Sequence, residues 1–503
     1  MKSLDKLLLQ QFNTENYKTI FAELIETKTD NYTGSIKIPM GVDGLSYITI
    51  KNNIEQVSSS FCNRAQTGKY LFSPFRETQI PKAPYTKNEF KIAKQKGKLR
   101  TLSICTINDT IFQNMIYQTI YDYTENRFYK KLDYNIFGYR KGKSVNSAIK
   151  DINKYINEGY LYGLDGDIEK YFDKIDHERL LKKVSKFYGK NSLITKYITR
   201  FIKVKRVPVE NKQKITKYFT RKPKTCARTI GIPQGGVLSG LLANLYLYNF
   251  DIYVTENLAK KFDINYIRYA DDFLILCKDP NIIIPIYKRC LAYFKREKLK
   301  LHDIDTSAID NTKPNSNKTK AINLNKNHFI EFLGFKISPK YIGVKSDNIT
   351  KFKNNIKHII KTSIENEDSF ESIIYKINAK ILGNGIFGKG LFTPCKRCHK
   401  PQKPQSWIGF FINITDMRIL KNLDKWIRKE LHKCYMVINK GTRLDKHHFK
   451  WMQNVNKEHG INTVMLQSLF HVATCIKNWY KKYPKAEFCE CKKFIPDLDV
   501  SIS

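Results

Sequence analysis

The chain has 503 residues, 88 Lys and Arg against 47 Asp and Glu, a formal net charge of +41 at pH 7, and an apolar content of 42 %. With 30 Tyr and 30 Phe it holds the material of a large core, which excludes a disordered polyelectrolyte. A positive excess spread over a length that suits roughly three domains points to a polyanionic partner, nucleic acid first and an anionic membrane surface second.

The membrane option weakens at once, because no apolar run approaches the ~20 residues of a spanning helix. The N-terminal MKSLDKLLLQQFNTENY returns to polar residues after a short apolar stretch, so neither leader nor anchor is expected. The 11 cysteines are odd in number and mostly isolated, among them Cys62, Cys105, Cys226, Cys277, Cys290, Cys434 and Cys475. That is the usage of reduced thiols, and a cytoplasmic location is expected. No repeat of fixed period is present.

In chain order, the N-terminal stretch reads as short amphipathic helices around the turn Gly41-Val42-Asp43-Gly44. The basic segment IPKAPYTKNEFKIAKQKGK, residues 80–98, carries two prolines and is expected as an exposed hairpin or loop. Residues 107–128 space apolar and aromatic side chains at helical period. YLYGLDGDI, residues 160–168, reads as a buried strand ending in acidic residues. Gly231 to Gly236 form a glycine-rich turn before the helical run LSGLLANLYLYNFD. INYIRYADDFLILC, residues 264–277, reads as strand, tight turn and return strand around Ala270-Asp271-Asp272. This mixture implies an α+β fold with an antiparallel sheet. From Ile349 onward helical periodicity dominates, broken by a Gly/Pro/Cys-rich insertion between Leu382 and Ser406.

Two adjacent aspartates at the tip of an apolar hairpin repel each other unless a cation compensates them. Magnesium, which takes carboxylate oxygens, water and phosphate oxygens, is the natural compensator, and nucleotidyl transfer uses two such ions. Asp167 ends the other candidate core strand, so neighbouring strands would bring Asp167, Asp271 and Asp272 to one site. If both Asp271 and Asp272 are extended they point to opposite faces, and Asp271 is expected as the closer ligand. A solvated acidic turn is the alternative reading of an isolated Asp-Asp pair.

The segments Asp167-Ile168-Glu169-Lys170-Tyr171-Phe172-Asp173-Lys174-Ile175-Asp176-His177, Gly231-Ile232-Pro233-Gln234-Gly235-Gly236-Val237-Leu238-Ser239 and Tyr269-Ala270-Asp271-Asp272 resemble, in order, the palm motifs of reverse transcriptases, more closely the bacterial group II intron lineage. Agreeing pieces are Lys98-Leu99-Arg100-Thr101-Leu102 with Asp109 and Gln113, Phe137-Gly138-Tyr139-Arg140-Lys141-Gly142-Lys143-Ser144, Phe332-Leu333-Gly334-Phe335, Ser406-Trp407-Ile408-Gly409-Phe410-Phe411 and Leu423-Asp424-Lys425-Trp426-Ile427-Arg428. The resemblance implies a right-hand polymerase: an N-terminal helical extension at 1–78, fingers at 79–160, and a palm at 161–345 with a fingers-like insertion at 185–228. A helical thumb-like region at 346–440 with its Cys-containing loop at 383–405, and a C-terminal helical extension at 441–503, complete it.

The same resemblance implies that Asp167, Ile168, Asp271 and Asp272 hold two Mg2+ ions. It implies that Phe172 lies under the sugar of the incoming deoxynucleoside triphosphate and excludes a 2′-hydroxyl, a core aromatic being the alternative. Gln234 and Gly235 match the loop that supports nucleotide and template, where glycine permits close backbone approach. Arg100 and Lys82 match the fingers residues that grip the triphosphate, although here an insertion separates them and Lys94 or Lys96 are substitutes for Lys82. Lys318 resembles the lysine beside the leaving pyrophosphate, a general acid.

Cys395 and Cys398 have metal-knuckle spacing, and Cys489 with Cys491 complete a candidate structural zinc site; reduced surface thiols are the other reading. Nothing after Arg443 looks like a histidine-rich nuclease, which leaves a resemblance to stand-alone, antiphage defence-associated enzymes. The implied partners are a structured non-coding RNA, an RNA template and its DNA product, with a homo-oligomer open. A group II intron maturase and a non-catalytic RNA-binding scaffold are the alternatives, and the clustered aspartates argue against the scaffold. The excess of positive charge fits a duplex channel together with a second, permanently bound RNA.

Overall fold

The computed structural model describes residues 2–29, 36–82, 84–133, 135–209, 224–310, 312–315, 317–326, 328–382, 399–401, 406–440 and 466–483. Two compact units result, the first made of Met1–Lys28, Ile38–Ile80 and Leu99–Leu333, the second of Thr29–Lys37, Pro81–Lys98 and Gly334–Ser503.

The strands that position the site are β1 (Phe75–Pro81), β2 (Leu99–Ile104), β3 (Tyr162–Gly166), β4 (Arg206–Val207), β5 (Ile264–Tyr269), β6 (Asp272–Cys277), β7 (Ile304–Asp305) and β8 (Thr319–Asn323). Five of them form one sheet in the order β5-β6-β3-β8-β7, antiparallel except for the β7–β8 pair. The expected strand-turn-strand is therefore real, and it is the β5–β6 hairpin. A smaller sheet, β2-β1-β4, joins β1 and β2 to the chain after residue 204 through the parallel register Phe75↔Arg206.

Behind the large sheet lies the helix Ser239–Ile252, whose LSGLLANLYLYNFD run is buried on nearly every side, as a helix apolar all round must be. The N-terminal helices are part of the same unit through an aromatic core centred on Phe112, which stacks on Tyr70 at 3.9 Å and Phe12 at 5.2 Å and meets Tyr197 edge-on at 4.8 Å. Offset stacks and edge contacts of this kind add ~0.5–1.5 kcal/mol each beyond area burial. The helix Ile107–Thr124 starts where Thr106 accepts the Asp109 amide at 3.0 Å. It ends four residues short of the sequence expectation, because Glu125–Tyr129 is wound as a π-turn around the buried Arg140, whose guanidinium bonds Glu125 and Asp133.

In the second unit the hairpin Phe335–Ile337 and Ile342–Val344 precedes the helices Ser346–Glu365, Phe370–Leu382, Trp407–Phe410, Arg418–Ile438 and Leu469–Lys482. Asp424 fixes the last of these: its carboxylate accepts the Ser468 hydroxyl at 2.6 Å and the amides of Leu469 and Phe470 at 2.8 and 3.1 Å, the two amides being donors that helix formation leaves unpaired. The basic segment 80–98 differs from expectation. It is not irregular: Thr86 and Glu89 form a capping box that starts a 3-10 turn and then the helix Phe90–Gln95, with Ala93 buried beneath. The Thr-x-x-Glu signal was obscured by the flanking prolines. Lys82 N donates to Lys98 O at 2.8 Å, closing the neck of this insertion two residues before Arg100. Cys395, Cys398, Cys489 and Cys491 lie outside the described residues.

Candidate active site

The register of the large sheet explains why three distant segments meet. Gly166 pairs with Phe273 on β6 and Asp165 with Lys320 on β8. Following each ladder toward Asp167 places it between Asp272 on one side and Lys318 on the other. Gly166 is required for this alignment, since a Cβ there would lie 2.1 Å from the Phe273 ring. Across β5 and β6 the last pair is Tyr269↔Asp272, so Ala270-Asp271 is a two-residue turn, and Ala270 takes a left-handed φ of 59°. Asp271 is thus in the turn rather than extended, while Asp272 opens β6.

The turn is held from inside the core. Arg268 is fully buried; its Nε and Nη2 donate to Asp251 at 2.7 and 2.6 Å, and its Nη1 donates to Asn244 Oδ1 at 3.0 Å and to the Ala270 carbonyl at 2.7 Å. Asn244 in turn donates to Gly138 O at 2.8 Å, and the amides of Arg268 and Phe137 bond Asn135 O and Arg268 O. One guanidinium therefore connects the helix Ser239–Ile252, β5, the segment 135–138 and the acidic turn.

Electrostatics follow from this placement. Burial raises the Asp271 carboxyl, and the neighbouring Asp167 charge adds to it. Asp272 is pushed up to about 8 by burial and then by the like charges of Asp271, Asp165 and Asp167. Asp167 has its own partners: Lys318 Nζ lies 2.9 Å and His302 Nε2 3.2 Å from Oδ2. Its backbone is fixed too, with Thr319 Oγ1 accepting its amide at 3.3 Å and its carbonyl accepting the His302 amide at 3.2 Å. Ile168 buries its side chain and pairs with Leu301, so its carbonyl is the only ligand atom it has to offer.

The donor set suits a hard divalent cation, since buried like charges at the tip of one hairpin lack a compensating cation of their own. Among the described residues, however, no three His, Cys, Asp or Glu side chains stand together in ligating geometry. Asp167 Oδ2 is instead engaged by Lys318 and His302.

The glycine-rich loop is stitched to both sides of the site. Gly231 N donates to Ile175 O at 2.8 Å and Ile232 N to Phe172 O at 2.9 Å, while Gln234 O accepts the Ser103 amide of β2 at 2.6 Å. Gly231 and Gly235 have φ of 75° and 110°, and a Cβ on Gly231 would meet Asp173 O at 2.7 Å. Gln113 closes the far end by accepting Val237 N at 2.8 Å. The Gln234 side chain donates to Asp173 at 3.4 Å. Of the adjacent aromatics, Tyr171 faces inward, donating to Ala243 O, whereas Phe172 is only half-buried, with its ring against those of Tyr171 and Tyr139. Arg100 is exposed on β2; Lys82 is exposed at the neck of the insertion, in the other unit.

Three residues at this site were missed by sequence reasoning. Asp165 adds a fourth carboxylate, and its alternation with Asp167 along β3 was the signal for it. His302 lies in LKLHDID, where nothing in the sequence marks it. Tyr139 presents its ring edge-on to Phe172 at 6.2 Å, inside a motif whose neighbours drew attention instead.

A mostly antiparallel sheet with carboxylates at one end and a glycine-rich loop, itself bonded to β2, defines a nucleotidyl-transfer palm. The family model described as reverse transcriptase (RNA-dependent DNA polymerase) matches residues 85–337, and the chain belongs to that family. It is 27 % identical over 270 residues to Protein YkfC of Escherichia coli K12, covering 47 % of this chain and 63 % of that protein. It is 30 % identical over 224 residues to the group II intron-encoded protein LtrA of Lactococcus lactis, covering 44 % of this chain and 30 % of LtrA. The match thus spans less than two thirds of either relative. A solved telomerase structure from Candida albicans, in complex with a fragment of telomeric RNA, aligns over 88 % of this chain and 69 % of its own at 12 % identity and a TM-score of 0.42.

Proposed function

We propose that this chain is an RNA-directed DNA polymerase that copies a bound structured RNA into DNA from deoxynucleoside triphosphates. The observation that carries the reading is the acidic turn Ala270-Asp271-Asp272, locked by Arg268 beside Asp167 on the palm sheet. Bound Mg2+ ions would be held by Asp167, Asp271, Asp272 and the Ile168 carbonyl, and supply charge neutralisation at the attacking and leaving oxygens. The chain's own groups do the rest. Arg100 binds the triphosphate, Gln234 and Gly235 shape the floor under the nucleotide, and Phe172 stands where a 2′-hydroxyl would otherwise fit. Lys318, 2.9 Å from Asp167 and largely exposed, is the proton donor to the departing pyrophosphate.

The deciding experiment is primer extension on RNA that copurifies with the protein, in Mg2+ and with Asp271→Ala and Asp272→Ala for comparison. DNA synthesis that both substitutions abolish supports the reading. Absence of synthesis on any bound RNA, with the variants behaving like wild type, refutes it. Antiphage defence is the biological role proposed, resting on the resemblance to stand-alone defence enzymes; phage plating with wild type and the Asp271→Ala variant tests it, and equal plating refutes it. The similarity to LtrA favours a second reading, an intron maturase, for which intron RNA should dominate the copurified nucleic acid.

A further inference from the structure

Tyr139 has no part in the functions assigned so far, yet its conformation is the most constrained of any exposed side chain at the site. Its φ of 59° is a left-handed backbone that a bulky residue adopts only where its surroundings impose it. Those surroundings are visible. Gly138 is pressed against the acidic turn, a Cβ there falling 2.5 Å from Ala270 N, and its carbonyl is tied to Asn244. On the other side Lys141 N donates to Tyr121 Oη at 2.6 Å. The Tyr139 side chain then rests against Gly240, where a Cβ would come within 2.5 Å of its ring, so the ring cannot retreat toward the helix Ser239–Ile252. Its open side meets Phe172, with centroids 6.2 Å apart and planes at 74°.

This is an edge-to-face pair in which one ring is immobilised by backbone and the other is half-buried. The residue is still 47 % exposed, and its hydroxyl feels the charges of Asp271, Arg100 and Asp272, so it stands within the cleft and not behind it. A core aromatic would need neither the left-handed backbone nor that exposure.

We propose that Tyr139 is the positioning residue of the sugar gate: its fixed ring sets where the Phe172 ring stands, and thereby how strictly the site rejects a ribose 2′-hydroxyl. The inference rests on the polymerase reading and on Phe172 as gate. Losing the ring contact frees Phe172 to rotate into the space vacated, and the ribonucleotide gains entry while the carboxylates stay in place.

The test is steady-state primer extension, comparing kcat/KM for a deoxynucleotide and the matching ribonucleotide in wild type, Tyr139→Phe, Tyr139→Ala, Phe172→Ala and the double alanine variant. Tyr139→Ala should reduce discrimination roughly three- to ten-fold, the loss of one edge-to-face pair, chiefly through a lower KM for the ribonucleotide. Tyr139→Phe should keep wild-type discrimination, and the double variant should discriminate no worse than Phe172→Ala alone. Discrimination unchanged in Tyr139→Ala while Phe172→Ala relaxes it, or effects that multiply in the double variant, would overturn the inference. Unchanged discrimination in Phe172→Ala would instead overturn the gate assignment beneath it. If Tyr139→Ala does not fold, Tyr139→Leu fills the Gly240 face without a ring edge, and the same relaxed ratio is expected of it; a wild-type ratio there overturns the proposal.

Discussion

Asp272 should make the metal-free protein less stable than it could be, and replacing it by asparagine should show this. In the folded chain its carboxyl is raised from 3.8 to about 8, by burial and by three neighbouring carboxylates. The folded state therefore holds this proton more tightly than the unfolded state does. The resulting contribution to stability is full below pH ~4, declines as pH rises, and is lost above pH ~8. At ~1.4 kcal/mol for each tenfold change in proton affinity, the rise sets a ceiling on the order of 5 kcal/mol, and relaxation around the ionised group reduces this to about half. In a chelator at pH 9, Asp272→Asn should thus melt higher than wild type, by on the order of 5 °C, and the two should converge at pH ~4. Mg2+ should raise the wild-type midpoint more at pH 9 than at pH 6, because proton and cation compete for the same oxygens, and should raise that of Asp272→Asn far less. Synthesis should be lost in the variant throughout. Differential scanning calorimetry at pH 4, 6 and 9 checks the midpoints and primer extension the loss of synthesis, and an Asp272→Asn protein that melts at or below wild type at pH 9 without metal would refute the reasoning.

Further outcomes follow from single contacts. Arg268→Met leaves Asp251 buried beside no guanidinium and should cost about 3–5 kcal/mol in unfolding experiments, whereas a loss under about 1 kcal/mol would show that the pair is not structural. Gly231→Ala combines a left-handed φ with a 2.7 Å approach to Asp173 O; a destabilisation of about 1–3 kcal/mol is expected, with a raised KM for the incoming nucleotide measured by primer extension. Lys318→Ala should lower the single-turnover rate by roughly 10²–10⁴-fold with little change in nucleotide KM, and Lys318→Arg should recover part of it; an unchanged rate would remove Lys318 from the chemistry.

Much of the site was legible because it is built on local rules. The Gly-rich turn, the apolar flanks of Asp271-Asp272 and the strand ending at Asp167 are patterns of a few residues, and the register of β3 on β6 makes the last two neighbours. What stayed hidden depends on distant partners. His302 reaches Asp167 only because residues 300–302 run beside 167–169, a pairing of two short segments that carries no periodic signal. The helix Phe90–Gln95 was hidden because two prolines and a run of lysines outweigh one capping box on inspection. Arg268 looks like a charge interrupting an apolar strand until Asp251, seventeen positions earlier on a helix, is placed against it. Tyr139 needs the backbone itself, since its left-handed turn has neither Gly nor Asn to announce it.

The bond from Arg268 to the Ala270 carbonyl has a consequence for how this site fails on heating. Loops that carry chemistry commonly open at low free energy, well before the domain around them melts. Here the turn is tied to a guanidinium with no exposure, which is itself held by a helix and a strand of the sheet. It cannot open alone. Thermal inactivation of synthesis and loss of the sheet should accordingly be one event with one midpoint, and the temperature at which the polymerase stops should be a direct reading of the stability of its core.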